Sequence, residues 1–251
     1  MTKMDNGVEI KEIGNIPENA NVILGLPDVG LVGTIAAAHI IEEMNLKEIA
    51  QVDSRMFPPV MVVHKHVPKS PIRVYGNDNL MVIISEIPIA PELINPLIES
   101  IVEWLKSKNI NQLISIGGIP HPKRMEIEKP KVYGVATDEN FDKIFKKNDI
   151  NALEEGLIVG PSGVMLKKCM LEGTKAMYLM AESYYKYPDP GAAASVVSAI
   201  NRILGTKISV KSLEEKEEEI RLTARDLMKR TEDTLKEIQK TQEKEIPMMY
   251  R

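Results

Sequence analysis

Residues 21–44, NVILGLPDVGLVGTIAAAHIIEEM, decide the fold. A short β-branched run (NVILGL) reads as a buried strand, the PDVG segment as a tight turn, and LVGTIAAAHIIEEM as a helix. A strand feeding a helix through a glycine-bearing turn is the opening unit of an α/β fold. Working outward, EIAQVDS, PVMVVHKHV, IRVYG and LMVIISEIPI supply further strand-like runs. The segment INPLIESIVEWLKSKNI repeats its apolar residues at helical spacing: Ile94, Leu97, Ile98, Ile101, Val102 and Leu105. That spacing predicts an amphipathic helix lying on a sheet, followed by a strand in NQLISIGGIP. The alternation favours a mainly parallel, buried sheet.

The second half continues the pattern with KVYGVAT, a helix from about Glu139, GLIVGPSGVMLKKCML and a strand in KAMYLMAES. In YPDPGAAASVVSAINRILG, Asp189 stands where an N-cap accepts from free backbone N–H groups. Pro190 suits the first helical position, and Gly205 suits the exit. From Leu213 the chain becomes charge-dense and lacks glycine and proline until Pro247. This predicts a long helix with a narrow apolar seam of Ile220, Ala224, Leu227, Thr231 and Ile238, too weak for a self-sufficient coiled coil and suited to packing on the body or on a neighbouring subunit. The division expected is an α/β domain over 1–210, a charged helix over 211–245 and a flexible tail over 246–251.

The chain of 251 residues is 43% apolar, enough for a sizeable core, and its net charge is -4. An acidic balance argues against nucleic acid or an anionic membrane surface as the main partner. No stretch approaches the roughly 18 apolar residues of a membrane span, and the amino end has no apolar signal core; a cytoplasmic location is expected. The single cysteine, Cys169, reads as a buried small hydrophobe.

Two turns invite a ligand. Gly25, Gly30 and Gly33 punctuate the first strand-to-helix turn, where α/β proteins cradle anions on backbone N–H groups. Leu31 and Val32 occupy the positions at which a nucleotide-triphosphate loop needs Lys and Ser/Thr, and the dinucleotide glycine spacing is also missing. Tight packing between strand and helix is the competing use of these glycines. Gly117 and Gly118 open a second turn beside His121, Lys123 and Arg124, a candidate anion pocket whose alternative is a surface loop with solvated cations.

His64 and His66 fall on one face if PVMVVHKHV is a single strand, but no third ligand lies near, and no metal or other cofactor is expected. His39 reads as a satisfied residue on a helix face. Asp28, Asp53, Glu86 and Glu92 lie near strand ends, and nothing specifies a catalytic pair among them. No hydrolase elbow or metalloprotease helix is present, so an enzymatic role is not expected.

The carboxyl end, EIPMMYR, concentrates features that suit capture by a partner. Pro247 stops the helix, Met248 and Met249 offer flexible apolar side chains, and Tyr250 adds an aromatic ring with a polar tip. The α-carboxylate of Arg251 is an anion that a lysine or a backbone nest can hold.

The chain resembles the proteasome assembly chaperone 2 family, and its archaeal members in particular. The likeness runs from GLPDVGLVGTIAA through SEIP and SIGGIP to GPSGVMLKKC and YPDPGAAASVVSAINRILG, about residues 20–205, with the charged helix following. It implies a Rossmann-like body, similar in fold to nucleoside phosphorylases, used for protein binding. It also implies that Met249, Tyr250 and Arg251 form a hydrophobic-Tyr-any motif that docks between proteasome α subunits. Met249 would fill an apolar slot, Tyr250 would hydrogen-bond in the cleft, and Arg251 would supply the carboxylate. The expectation is a homo-oligomeric, ATP-independent assembly chaperone or adaptor, a ring or cluster of three to five copies; the alternative is a small-ligand protein binding a phosphate or nucleoside at the glycine turns.

Overall fold

The computed structural model describes residues 2–3, 7–138 and 140–245. In chain order the first half forms β1 (Thr2–Lys3), β2 (Val8–Glu12), β3 (Asn21–Gly25), α1 (Val32–Glu43), β4 (Lys47–Ser54), β5 (Val62–His64) and β6 (Val67–Lys69). It continues with β7 (Ile72–Gly76), β8 (Leu80–Ser85), α2 (Pro91–Ser107) and β9 (Gln112–Pro120). The second half adds β10 (Val132–Ala136), α3 (Phe141–Lys147), β11 (Asn151–Ala152), α4 (Pro161–Glu172) and β12 (Ala176–Ser183). Three helices follow: α5 (Pro190–Leu204), α6 (Lys211–Glu215) and α7 (Glu217–Glu245).

Ten strands make one sheet in the order β1-β2-β4-β7-β8-β3-β9-β12-β10-β11. The four central strands β8, β3, β9 and β12 are mutually parallel. On the amino-terminal side β1, β2, β4, β7 and β8 pair antiparallel, and on the other side β10 pairs antiparallel with β12. The sheet is therefore mixed, which corrects the expectation of a mainly parallel one. The physical reason lies in the connections: β7 reaches β8 through the short turn at 77–79, and a hairpin that tight joins antiparallel neighbours only.

PVMVVHKHV also differs from its sequence reading. It folds into a separate two-stranded hairpin, β5 against β6, turning at Lys65 and His66, both at positive φ. His64 ends a strand and His66 sits in the turn, so the two do not share a strand face.

Side chains alternate across the central strands, as a sheet covered on both faces requires. Ile23, Val82 and Ile84 enter a core with α1 and α5, while Val22, Leu24, Met81 and Ile83 enter a second core with α2 and α4. The Asp189 side chain accepts from the Ala192 N–H, Pro190 opens α5, and Gly205 closes it at φ 69°. His39 is buried and its Nε2 lies 2.6 Å from the Ser209 carbonyl oxygen.

Helix α7 packs on the body. Its Met228, 2% exposed, belongs to the α1/α5 core, with Ile220, Ala224 and Leu227 beside it, whereas its Ile238 belongs to the α2/α4 core. Thr231 between them is buried and donates to the Leu227 carbonyl. At ~1.5 Å per residue, one helix is long enough to join both layers, and α7 does so across the carboxyl ends of the parallel strands. No helix among the described residues is long and apolar enough to cross a membrane.

Candidate functional site

The turn after β3 organises this end of the molecule. Asp28 holds it: Oδ1 accepts from the Gly33 N–H at 3.2 Å, and Oδ2 accepts from the Gly118 N–H at 2.7 Å. One carboxyl group thereby ties the amino end of α1 to β9. Gly30 lies at φ 65°, and a Cβ there would strike the Ser183 side chain. Leu31 follows at φ 51°, an unusual conformation for a branched side chain, maintained by its complete burial. A Cβ on Gly25 would strike Ala37 and the Gly33 carbonyl, and one on Gly33 would strike the Ile116 and Leu26 backbone, so both positions of this crossing leave no room for a methyl group. Gly117 and Gly118 lie within β9, paired to Met180 and Ala181 of β12 and beside Asp28 and Val29, which corrects their reading as a turn. The two glycine-bearing segments are thus brought together.

The cations after β9 are not brought together as a pocket. Arg124 turns inward: Nε donates to Asp189 Oδ2 at 2.7 Å, Nη2 to Asp189 Oδ1 at 2.8 Å and Nη1 to the Ile127 carbonyl at 2.6 Å. Its guanidinium also lies 5.0 Å from the Tyr184 ring centroid. Arg124 is therefore committed to internal partners, which corrects its reading as a solvated or anion-binding cation. Lys123 is exposed, and His121 accepts from the Lys123 N–H at 3.3 Å.

His64 lies 3.0 Å from Glu86, whose Oε2 also accepts from the buried Arg73 at 2.9 Å. Those contacts anchor the β5–β6 hairpin to β7. Asp53 accepts from the neighbouring Ser54 N–H, and Glu92 lies in the first turn of α2. Among the described residues no group of three His, Cys, Asp or Glu side chains could hold a metal ion. Met249, Tyr250 and Arg251 lie outside the described residues.

A cavity of about 350 Å³ opens at the carboxyl ends of the parallel strands. Its floor is built by Pro27 and Asp28 after β3, Pro88 and Ile89 after β8, and Tyr178 from β12; Thr231, Thr234, Leu235 and Ile238 of α7 roof it. The position follows from the topology. β3 leads into α1 on one face and β8 into α2 on the other, and a crevice forms where such connections diverge.

The polar wall of the cavity is compact. Tyr178 hydrogen-bonds Ser162, and Ser162 Oγ lies 2.9 Å from Ser115 Oγ. Burial pushes the Asp28 carboxyl up to about 8 despite the lowering effect of its two N–H bonds. Burial, then the nearby Asp28 carboxyl, also keeps the Tyr178 hydroxyl protonated well above the usual tyrosine range. Asp28 was named from its place near a strand end. Tyr178, Ser162, Thr234 and Leu235 carry no such signal, because they are far apart in the chain and read as ordinary strand and helix positions, while Thr231 and Ile238 are legible only as a packing seam. Tyr and Met at core positions carry no signal of lining a void.

Comparison with known proteins agrees with this architecture. The PAC2 family profile matches residues 22–228. An uncharacterised protein of Methanocaldococcus jannaschii is 32% identical over 231 residues, covering 92% of this chain and 93% of its own. PbaA of Pyrococcus furiosus, described as an archaeal homolog of proteasome-assembly chaperone, superposes with a TM-score of 0.84 at 33% identity, over 90% of this chain and 98% of that one. PbaB of the same organism, described as an archaeal proteasome activator, has the same fold with a TM-score of 0.76 at 23% identity, over 88% of this chain and 99% of that one. Matched over most of its length in sequence and in fold, the chain belongs to the PAC2 family.

Proposed function

We propose that this protein is a proteasome assembly chaperone or proteasome-binding adaptor of the cytoplasm. The observation that carries the reading is the likeness to PbaA, at 33% identity and a TM-score of 0.84 over 98% of that chain. Docking is through the carboxyl-terminal tail. Met249 enters an apolar slot between proteasome α subunits, Tyr250 hydrogen-bonds in the cleft, and the carboxylate of Arg251 pairs with a lysine.

A tripeptide alone binds weakly, so the protein works as a homo-oligomer that presents several tails at once and gains affinity through effective concentration. No nucleotide drives the process: the positions where a phosphate-binding loop needs a lysine and a hydroxyl hold the buried side chains of Leu31 and Val32. The body holds α subunits together or bridges a client to the assembled ring.

Native mass spectrometry of the protein mixed with proteasome α subunits tests this. The reading expects complexes that contain several copies of the chain and that weaken when the terminal carboxylate is amidated. Complexes indifferent to amidation would overturn the tail mechanism, and their absence would overturn the proteasome role.

A further inference from the structure

The cavity beneath α7 is not used by tail docking, and its chemistry is specific. Of the described residues that line it, Asp28 and Glu155 are acidic, and none is Lys, Arg or His. A phosphate or carboxylate would meet no countercharge there and would face Asp28 directly. Most of the wall is aliphatic: Leu26, Ile89, Ile116, Ile119, Leu235 and Ile238. One end carries polar groups close together: the Asp28 carboxyl, and the Tyr178 hydroxyl hydrogen-bonded to Ser162.

The volume of about 350 Å³ falls within the range of small-molecule sites, which are mostly apolar pockets with a few convergent polar groups. The loop between residues 153 and 160 forms the mouth, with Leu157 88% exposed. A carboxyl kept neutral near pH 7 by burial both donates and accepts, and it offers no fixed charge to attract a cation.

We propose that this cavity binds a small uncharged molecule with an apolar body and one hydrogen-bonding group, seated with that group against Asp28, Tyr178 and Ser162. The cavity lies at the glycine-bearing segments singled out in the sequence, but its polar groups are acids and hydroxyls, which suit a neutral ligand and not an anion. It is also independent of the proteasome reading, since the residues proposed to hold the ligand are not those proposed to dock.

The test is calorimetric titration of the full chain at pH 7 with probes of one shape and three charges: benzamide, benzoate and benzylamine, with cyclohexanol as a second neutral body. Saturable binding of a neutral probe is expected, with both charged analogues weaker by about tenfold or more. Leu235→Trp, which places bulk in the roof from the helix side, should abolish neutral-probe binding. Tyr178→Phe should weaken benzamide several-fold while thermal unfolding shows the fold retained. Saturation by none of the probes, a charged analogue binding as tightly as benzamide, or binding unchanged in Leu235→Trp would each overturn the proposal. Because the readout involves no proteasome, its failure would leave the docking reading standing, and failure of docking would leave the cavity's chemistry intact.

Discussion

Arg124 and Asp189 meet through two parallel hydrogen bonds of 2.7 and 2.8 Å, with Asp189 wholly buried. The same carboxylate accepts from the Ala192 N–H at the start of α5 and from the Tyr184 N–H. One side chain therefore fixes the β12–α5 turn, caps the helix and holds the loop after β9. Arg124→Ala leaves that carboxylate buried without its cation, and breaking such a pair costs about 3–5 kcal/mol. Urea unfolding should show a loss of that size. Arg124→Lys should recover only part of it, because a point charge cannot make the paired contact.

Asp28 gives the fold a pH dependence of unusual sign. An unfolded aspartate titrates near ~3.9, while burial raises the folded group to about 8. Between these values the folded form keeps a proton that the unfolded chain has released. Asp28's contribution is thus fully present below the unfolded value, falls as pH rises through the window, and is lost above about 8. Denaturation midpoints measured from pH 5 to 8.5 should decline more steeply for the wild type than for Asp28→Asn. Parallel profiles would show that Asp28 ionises normally.

Gly117 packs directly under Asp28 and Tyr178. A Cβ at this position would collide with the carboxyl oxygen and the phenol hydroxyl. Gly117→Ala should cost about 1–3 kcal/mol, the usual range for overpacking a filled interior. Differential scanning calorimetry checks this, with Gly173→Ala as a control position where a methyl group meets no neighbouring atom but φ is 67°.

Cys169 lies at zero exposure, with its thiol pushed up to about 12 by burial and then by Glu172. Thiolate is the reactive form, so iodoacetamide should leave the native protein unlabelled and should label it fully in denaturant. Rapid native labelling would place the residue at the surface.

Local chemistry in the sequence carried far. The NVILGLPDVGLVGT turn, the α2 periodicity and the Asp189–Pro190–Gly205 punctuation each depend on neighbours within a few residues, and each forms as read. The long charged helix was also legible, although its seam omitted Met228 and Leu235, which face the body. What was hidden depends on long-range partners. Arg124 looked like a loop cation because its partner is 65 residues away. The antiparallel pairings of β2 with β4 and of β10 with β12 join strands far apart in the chain, so no local turn signals them. The cavity draws on β3, β8, β9, β12, α4 and α7 together, so no window of sequence contains it.

The central claim is that the tail of this protein engages proteasomes. The most direct measurement is the affinity of the full chain for proteasome core particles, compared with a variant lacking residues 249–251, by a surface-binding assay under identical oligomeric conditions. The account expects saturable binding by the full chain and its loss in the truncated variant, with the fold and oligomeric state unchanged. Equal binding by the two proteins would contradict it.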